Sequence, residues 1–174
     1  MVAPRRISPE ITIAIPASIV RDTPHLREKT SKVGSIGRAV AVFRVGKIVI
    51  YQDRPRIEDD ATLVATILKF LDTPPYLRKS LFKLTHQLRY SGILPALRTP
   101  HHPSDRLFNV GEYRQGLALS VAGGKGLIDV GTGRPLALSS GKLHIGEIVN
   151  LKMTQDGKNV EAILTRKEDV PFYW

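Results

Sequence analysis

The sequence predicts an α/β half-domain followed by a small all-β barrel, and three observations carry that prediction. A strand–helix–strand pattern opens the chain. A proline-rich connector interrupts it near residue 100. After the connector come five short alternating runs, separated by Gly-rich or polar turns.

Glu10–Ile15 alternates as a short strand that Pro16 ends. Thr23-Pro24 is a helix start, with Glu28 to follow. Leu26, Val33, Ile36, Val40 and Phe43 then keep one helix face apolar up to about Val45, while Arg27, Lys29, Lys32 and Arg38 populate much of the rest. Gly34 and Gly37 lie inside this helix, each costing about 1 kcal/mol relative to Ala. Close packing against a neighbouring backbone is the expected compensation. Gly46 stops the helix, and Lys47–Tyr51 reads as a buried strand. Strand, helix, strand makes a βαβ unit with parallel pairing.

Glu58, Asp59 and Asp60 begin the next helix, where the helix dipole favours negative charge. That helix runs to about Leu71, with Leu63, Ile67 and Phe70 or Leu71 facing inward. Asp72–Pro75 ends it, and a shorter helical stretch follows from Tyr76 to about Leu84.

Ser91–Asp105 holds three prolines and reads as a rigid connector. The strands expected after it are Tyr113–Val121, Lys125–Val130, Pro135–Leu138, Glu147–Met153 and Asn159–Thr165. Five short strands at this spacing suggest a closed or nearly closed barrel, of which the OB type is the natural small form. The expected division is residues 1–92 α/β, 93–105 connector, 106–169 barrel and 170–174 a return to the α/β part.

Lys and Arg number 26 against 16 Asp and Glu, a net charge of +10 in 174 residues. Such an excess attracts polyanions, because each base that neutralises a phosphate releases a condensed counterion. Residues 1–100 hold 17 bases against 8 acids, and residues 101–174 hold 9 against 8, so the excess lies in the first part. There is no cysteine, which excludes disulfides and thiolate metal sites. No run approaches the ~20 apolar residues of a membrane span, so no membrane association is expected and the expected location is cytoplasmic.

Arg78, Lys79, Lys83 and Arg89 interleave with Tyr76, Phe82, His86 and Tyr90, a mixture suited to phosphates and bases together. The competing reading makes Leu81, Phe82 and Leu84 core and the bases solvated. His101-His102 lacks further ligands at metal spacing and suggests a contact to RNA or substrate, or a brace for the connector; no metal is expected. In the barrel, Tyr113 beside Arg114 is the clearest candidate for stacking on a base. AGGKG (Ala122–Gly126) and GTG (Gly131–Gly133) depart from the phosphate-loop pattern and read as hairpin turns. Neither a Ser/His/Asp set nor a paired-carboxylate set can be assembled.

Five stretches, in order, resemble an archaeal and eukaryotic family of RNA methyltransferases of the SPOUT class: ITIAIP (Ile11–Pro16), GRAVAVFRVGKIVIYQD (Gly37–Asp53), DTPPYLRKSLF (Asp72–Phe82), GILPALRTPHHP (Gly92–Pro103) and GEYRQGL (Gly111–Leu117). The resemblance implies a Rossmann-like α/β domain, knotted in its C-terminal half and interrupted by an inserted OB-like barrel. Arg38 matches an arginine of the first helix that serves substrate binding or activation in the wider class, and is the one catalytic candidate. Phe43 also matches, but Arg44 stands where the pattern has glycine. In the family VPFYW (Val170–Trp174) marks the return from the barrel, and the knot and the S-adenosylmethionine pocket follow it.

The expectation is therefore an RNA-binding member of this family, associated with ribosomal RNA and ribosomal proteins, non-catalytic and without cofactor in these 174 residues. A longer form implies S-adenosylmethionine and a homodimer. The alternatives are the substrate-recognition part of an S-adenosylmethionine-dependent RNA methyltransferase and a protein-interaction scaffold. The RNA-binding set comprises Arg27, Lys32, Arg38, Arg78, Lys79, Lys83, Arg89, Arg98, His101, His102, Tyr113 and Arg114.

Overall fold

A computed structural model describes residues 4–55, 57–103, 107–139, 143–155 and 160–173. The turns expected at residues 140–141 and at Asp156-Gly157, the connector residues Ser104 and Asp105, and Trp174 lie outside the described residues. The chain divides into two compact units. The first takes the described parts of Met1–Thr73, Phe82–Thr99 and Phe172–Trp174; the second takes Pro74–Leu81 and Pro100–Pro171.

In the first unit β1 (Thr12–Pro16) and β2 (Lys47–Tyr51) pair in parallel, with Thr12 opposite Lys47 and Pro16 opposite Tyr51. Helix α1 (Leu26–Val42) makes the crossover and α2 (Glu58–Asp72) follows β2. The core gathers Ile15, Val20, Val33, Val64, Ile67 and Leu71. α1 ends before the expected Val45. Arg44 takes a left-handed φ of 53°, and its guanidinium donates to the Arg5 carbonyl at 3.0 Å. Phe43 therefore leaves the helix's apolar face and is 69% exposed.

The two helix glycines answer to side chains rather than to a backbone. A Cβ on Gly37 would lie 2.8 Å from Leu71 Cδ1, so this glycine sets the approach of α1 to α2. A Cβ on Gly34 would lie 2.9 Å from Leu94 Cδ2 and 3.0 Å from Pro95 Cδ. Lys29 and Asp60 add a 3.0 Å ion pair between α1 and α2. Phe82 meets Phe70 edge to face at 5.3 Å, as a core side chain would. Phe172 and Tyr173 group with this unit. Tyr173 donates its N–H to the Pro4 carbonyl at 2.8 Å and its hydroxyl to the Val45 carbonyl at 3.0 Å.

The second unit is a nearly closed antiparallel barrel of five strands in the order β5-β4-β3-β6-β7. These are β3 (Tyr113–Ala122), β4 (Lys125–Asp129), β5 (Leu136–Ser139), β6 (Ile148–Gln155) and β7 (Glu161–Thr165). β3 serves two partners: Tyr113–Leu117 pairs with β6, and the stretch from Leu117 onward pairs with β4 through a bulge between Ala118 and Ser120. Inward-facing Ile128, Val130, Leu151 and Met153 are fully buried. A Cβ on Gly116 would strike Ile128, so the barrel wall closes only over glycine there.

Helix α3 (Pro75–Leu81) groups with the barrel, whereas the sequence pattern places it in the first domain. The Tyr76 ring covers Gly131, and its hydroxyl bonds to the β3 backbone. Leu77 is fully buried, while Leu84, expected to end this helix, is 90% exposed. Conversely Phe82–Thr99, with most of the connector, groups with the first unit, because Leu94 and Pro95 pack where Gly34 leaves room. By this division the first unit's sequence holds 15 bases against 8 acids and the second's 11 against 8.

Candidate nucleic-acid interface

α1 carries two stripes. Thr30, Val33, Gly34 and Gly37 face the core. Arg27, Ser31, Ser35, Arg38 and Val42 follow one another at spacings of four, four, three and four residues, so they share another face. Two adjoining cavities run along this second stripe. One, of about 630 Å³, is lined by Arg27, Glu28 and Ser31 with His25, Tyr90 and Ile93. The other, of about 450 Å³, is lined by Ser31, Ser35, Arg38 and Phe43 with Ile93 and Pro95. Ser31 and Ile93 belong to both, so the two form one groove. Its far wall is the Tyr90–Pro95 segment, held at its distance by the bare face of Gly34.

The groove's chemistry follows from its lining. Arg27 and Arg38 lie eleven residues apart on one helix, about 16 Å along the axis. Both are exposed, and neither forms an ion pair among the described residues. Serine hydroxyls lie between them, with Ser35 Oγ donating to the Ser31 carbonyl at 3.1 Å. Arg89 holds its guanidinium 5.7 Å from the Tyr90 ring centroid, placing a cation and an aromatic face together at one end. Guanidinium groups bind phosphate oxygens, hydroxyls bond to sugar or phosphate, and aromatic faces stack on unpaired bases.

Of the residues expected to meet RNA, Arg27 and Arg38 line the groove, and Arg89 lies against Tyr90 in its wall. Lys32 is on α1 but is engaged by Asp22 at 2.7 Å, and that bond holds the Asp22 carboxyl below its usual range. Lys83 and Arg98 are exposed on the first unit and do not line the groove. Arg78 and Lys79 belong to the barrel unit: Lys79 is exposed, while Arg78 is half-buried, which lowers its pKa. Tyr113 is half-buried on β3.

Three of the expected contacts point inward. His101 and His102 are 2% and 9% exposed, their rings edge to face at 4.4 Å, which suits the brace of the connector, one of their two expected roles, better than a contact to RNA. Arg114 is 1% exposed. It donates to Glu112 at 2.8 Å and to the Leu107 and Val130 carbonyls at 2.7 and 3.3 Å. A guanidinium so enclosed is a strut of the barrel, a correction forced by β3 alternation, which turns residue 114 inward. Sequence reasoning passed over Ser31, Ser35 and Ile93. The two serines were legible in the spacing of the Arg27–Arg38 stripe, whereas Ile93 was not, since only packing brings it to α1.

Comparison with known proteins adds the family. The family model described as "Putative RNA methyltransferase" matches residues 10–174, and this chain belongs to that family of RNA methyltransferases. A Halobacterium salinarum protein of uncharacterised function is 34% identical over 129 residues, 73% of this chain and 46% of that protein. The 28S rRNA (uridine-N(3))-methyltransferase of Mus musculus is 29% identical over 162 residues, 83% of this chain and 41% of that enzyme. Its Homo sapiens counterpart is 32% identical over 123 residues, 63% of this chain and 32% of the enzyme. The chain thus spans less than half the length of these relatives.

S-adenosylmethionine, the methyl donor implied by the resemblance, does not fit the groove. Its sulfonium is cationic, and the groove sets two guanidinium groups, Arg27 and Arg38, against the single carboxylate of Glu28. A cofactor of this size is normally enclosed over most of its surface, whereas the groove lies open along the helix. Among the described residues, no three His, Cys, Asp or Glu side chains gather as a metal site, and no helix is long and apolar enough to cross a membrane.

Proposed function

We propose that this chain recognises ribosomal RNA on behalf of an RNA methyltransferase of this family, and that the α1 groove holds the RNA strand. One observation carries the reading: Arg27 and Arg38 stand at two ends of a single groove whose middle is hydroxylic and whose wall holds Tyr90. The rRNA assignment draws on the names of the mammalian relatives. On the same reading the first unit is half of a SPOUT domain, the barrel is of the OB type, and methyl transfer needs residues other than those lining this groove. Association with the ribosome follows if the substrate is assembled rRNA.

Anisotropy titration of a labelled rRNA fragment at several salt concentrations tests this. An Arg27→Glu/Arg38→Glu double variant no longer neutralises two phosphates, which lowers the log–log salt slope by roughly 1.4 to 1.8. An Arg78→Glu/Lys79→Glu pair on the barrel unit lowers it less. A wild-type affinity indifferent to salt overturns the RNA reading. An unchanged slope in the groove variant overturns the placement.

A further inference from the structure

On the barrel's outer face, β3, β6 and β7 lay two neighbouring rungs side by side. The register places Tyr113 beside Lys152 and Lys152 beside Ile163, and in the next outward row Gln115 beside Asn150 and Asn150 beside Thr165. These positions alternate with the buried Arg114, Leu151 and Ala162, so their side chains point away from the core. The Lys152 ammonium lies 5.8 Å from the Tyr113 ring centroid. Asn150 and Thr165 also border a depression of about 320 Å³, with Ile148 and Glu147 on its rim.

We propose that this face is a second RNA subsite, a stacking platform for one unpaired nucleotide. The proposal rests on the RNA reading above but not on the α1 groove. The Tyr113 ring offers its face to a base. Lys152, on a four-carbon arm, can exchange the ring for a phosphate as the base arrives, and Ile163, 54% exposed, packs against the sugar or base edge. The Thr165 hydroxyl, which donates to the Ile163 carbonyl at 3.4 Å, keeps acceptor capacity toward the polar edge of a base where Thr165 borders the depression. Glu147 shapes the choice further: a carboxylate at the rim repels phosphate, so the base and not the backbone turns toward the depression. The bases of a duplex are stacked on one another and cannot present a face to the ring. The ligand is therefore a single strand, a loop or a bulge.

The test uses the whole chain with two labelled RNAs, an unstructured single strand and a fully paired duplex. Tyr113→Ala weakens the single strand by between about fivefold and a hundredfold and leaves the duplex unchanged. Tyr113→Phe keeps the ring and retains single-strand affinity. Lys152→Gln, which spares the ring and the strand pairing, lowers the salt slope for the single strand by about 0.7. Circular dichroism confirms that each variant folds, and should Tyr113→Ala fail to fold, the Phe and Gln variants decide. Equal single-strand affinity of Tyr113→Ala and wild type overturns the platform, as does a Phe variant as weak as the Ala variant or an unchanged slope in Lys152→Gln. If RNA binding responds to the Arg27/Arg38 variant but not to Tyr113 or Lys152, this subsite alone falls. If the wild-type chain binds neither RNA, the RNA reading falls with it.

Discussion

The Tyr76 hydroxyl donates a 2.6 Å hydrogen bond to the Gln115 carbonyl. β4 pairs with β3 only from Leu117 onward, and Tyr76 takes up a carbonyl two residues before that point. A helix that sequence separates from the barrel by the whole connector thereby completes the hydrogen bonding of a barrel strand. Tyr76→Phe keeps the ring over Gly131 but leaves the carbonyl unpaired, a cost of about 1–2 kcal/mol read by urea denaturation of the second unit's transition. Burial also raises the Tyr76 pKa above the usual tyrosine value of about 10. The folded state prefers the neutral phenol, so its contribution is fully present below about pH 10 and is lost as pH rises toward the folded pKa. Tyr76→Phe removes that part of the alkaline loss, and a wild-type stability profile no steeper than the variant's above pH 10 refutes this account.

Gly34→Ala tests whether a single bare position on α1 sets the groove's width. Helix propensity favours Ala by about 1 kcal/mol, but the new Cβ meets the stiff Pro95 ring at 3.0 Å. Overpacking of this kind costs about 1–3 kcal/mol. The variant is expected to be no more stable than wild type in thermal melts and to bind RNA more weakly, because the Tyr90–Pro95 wall must shift. A clear rise in melting temperature with unchanged RNA affinity contradicts the packing argument.

Arg114 separates a structural base from a binding one. Truncation to Ala leaves Glu112 with only the Asn109 N–H and removes a donor from two carbonyls, a loss of about 3 kcal/mol, the low end for a buried ion pair because Glu112 is partly exposed. Lys supplies one compact ammonium instead of a planar fork and restores little. Both variants are expected to melt the barrel at lower denaturant, in contrast with Arg27→Ala, which changes RNA affinity and not stability. Full stability of Arg114→Ala together with weakened RNA binding returns Arg114 to the surface role.

Calorimetry with S-adenosylmethionine checks the cofactor argument. The arginine-bordered groove is expected to give no binding heat at micromolar ligand. Saturable binding, especially if strengthened by Arg38→Ala, shows that the cofactor enters where the charge argument excludes it.

The alternation of the five barrel strands, the βαβ unit and the acidic start of α2 were all readable from the chain, because periods of 2 and 3.6 residues and helix-start chemistry are local properties. Phe43 shows where locality fails: its spacing belongs to the α1 face, yet the left-handed turn at Arg44 puts it in solvent. The burial of His101, His102 and Arg114 has a related cause. Residue type suggests surface chemistry, but burial depends on which neighbours arrive from elsewhere in the chain.

By itself the sequence determined the two-part α/β-plus-barrel plan, the positive charge and the Arg27–Arg38 stripe. Each is a property of composition or of short-range period. Only the tertiary structure decided which bases remain exposed, that α3 belongs with the barrel, and that Tyr90–Pro95 faces α1 to make a groove. Those outcomes rest on contacts between residues far apart in sequence, Gly34 with Pro95 and Tyr76 with Gln115. Such contacts depend on close-packed shape and hydrogen-bond satisfaction, which no local pattern encodes.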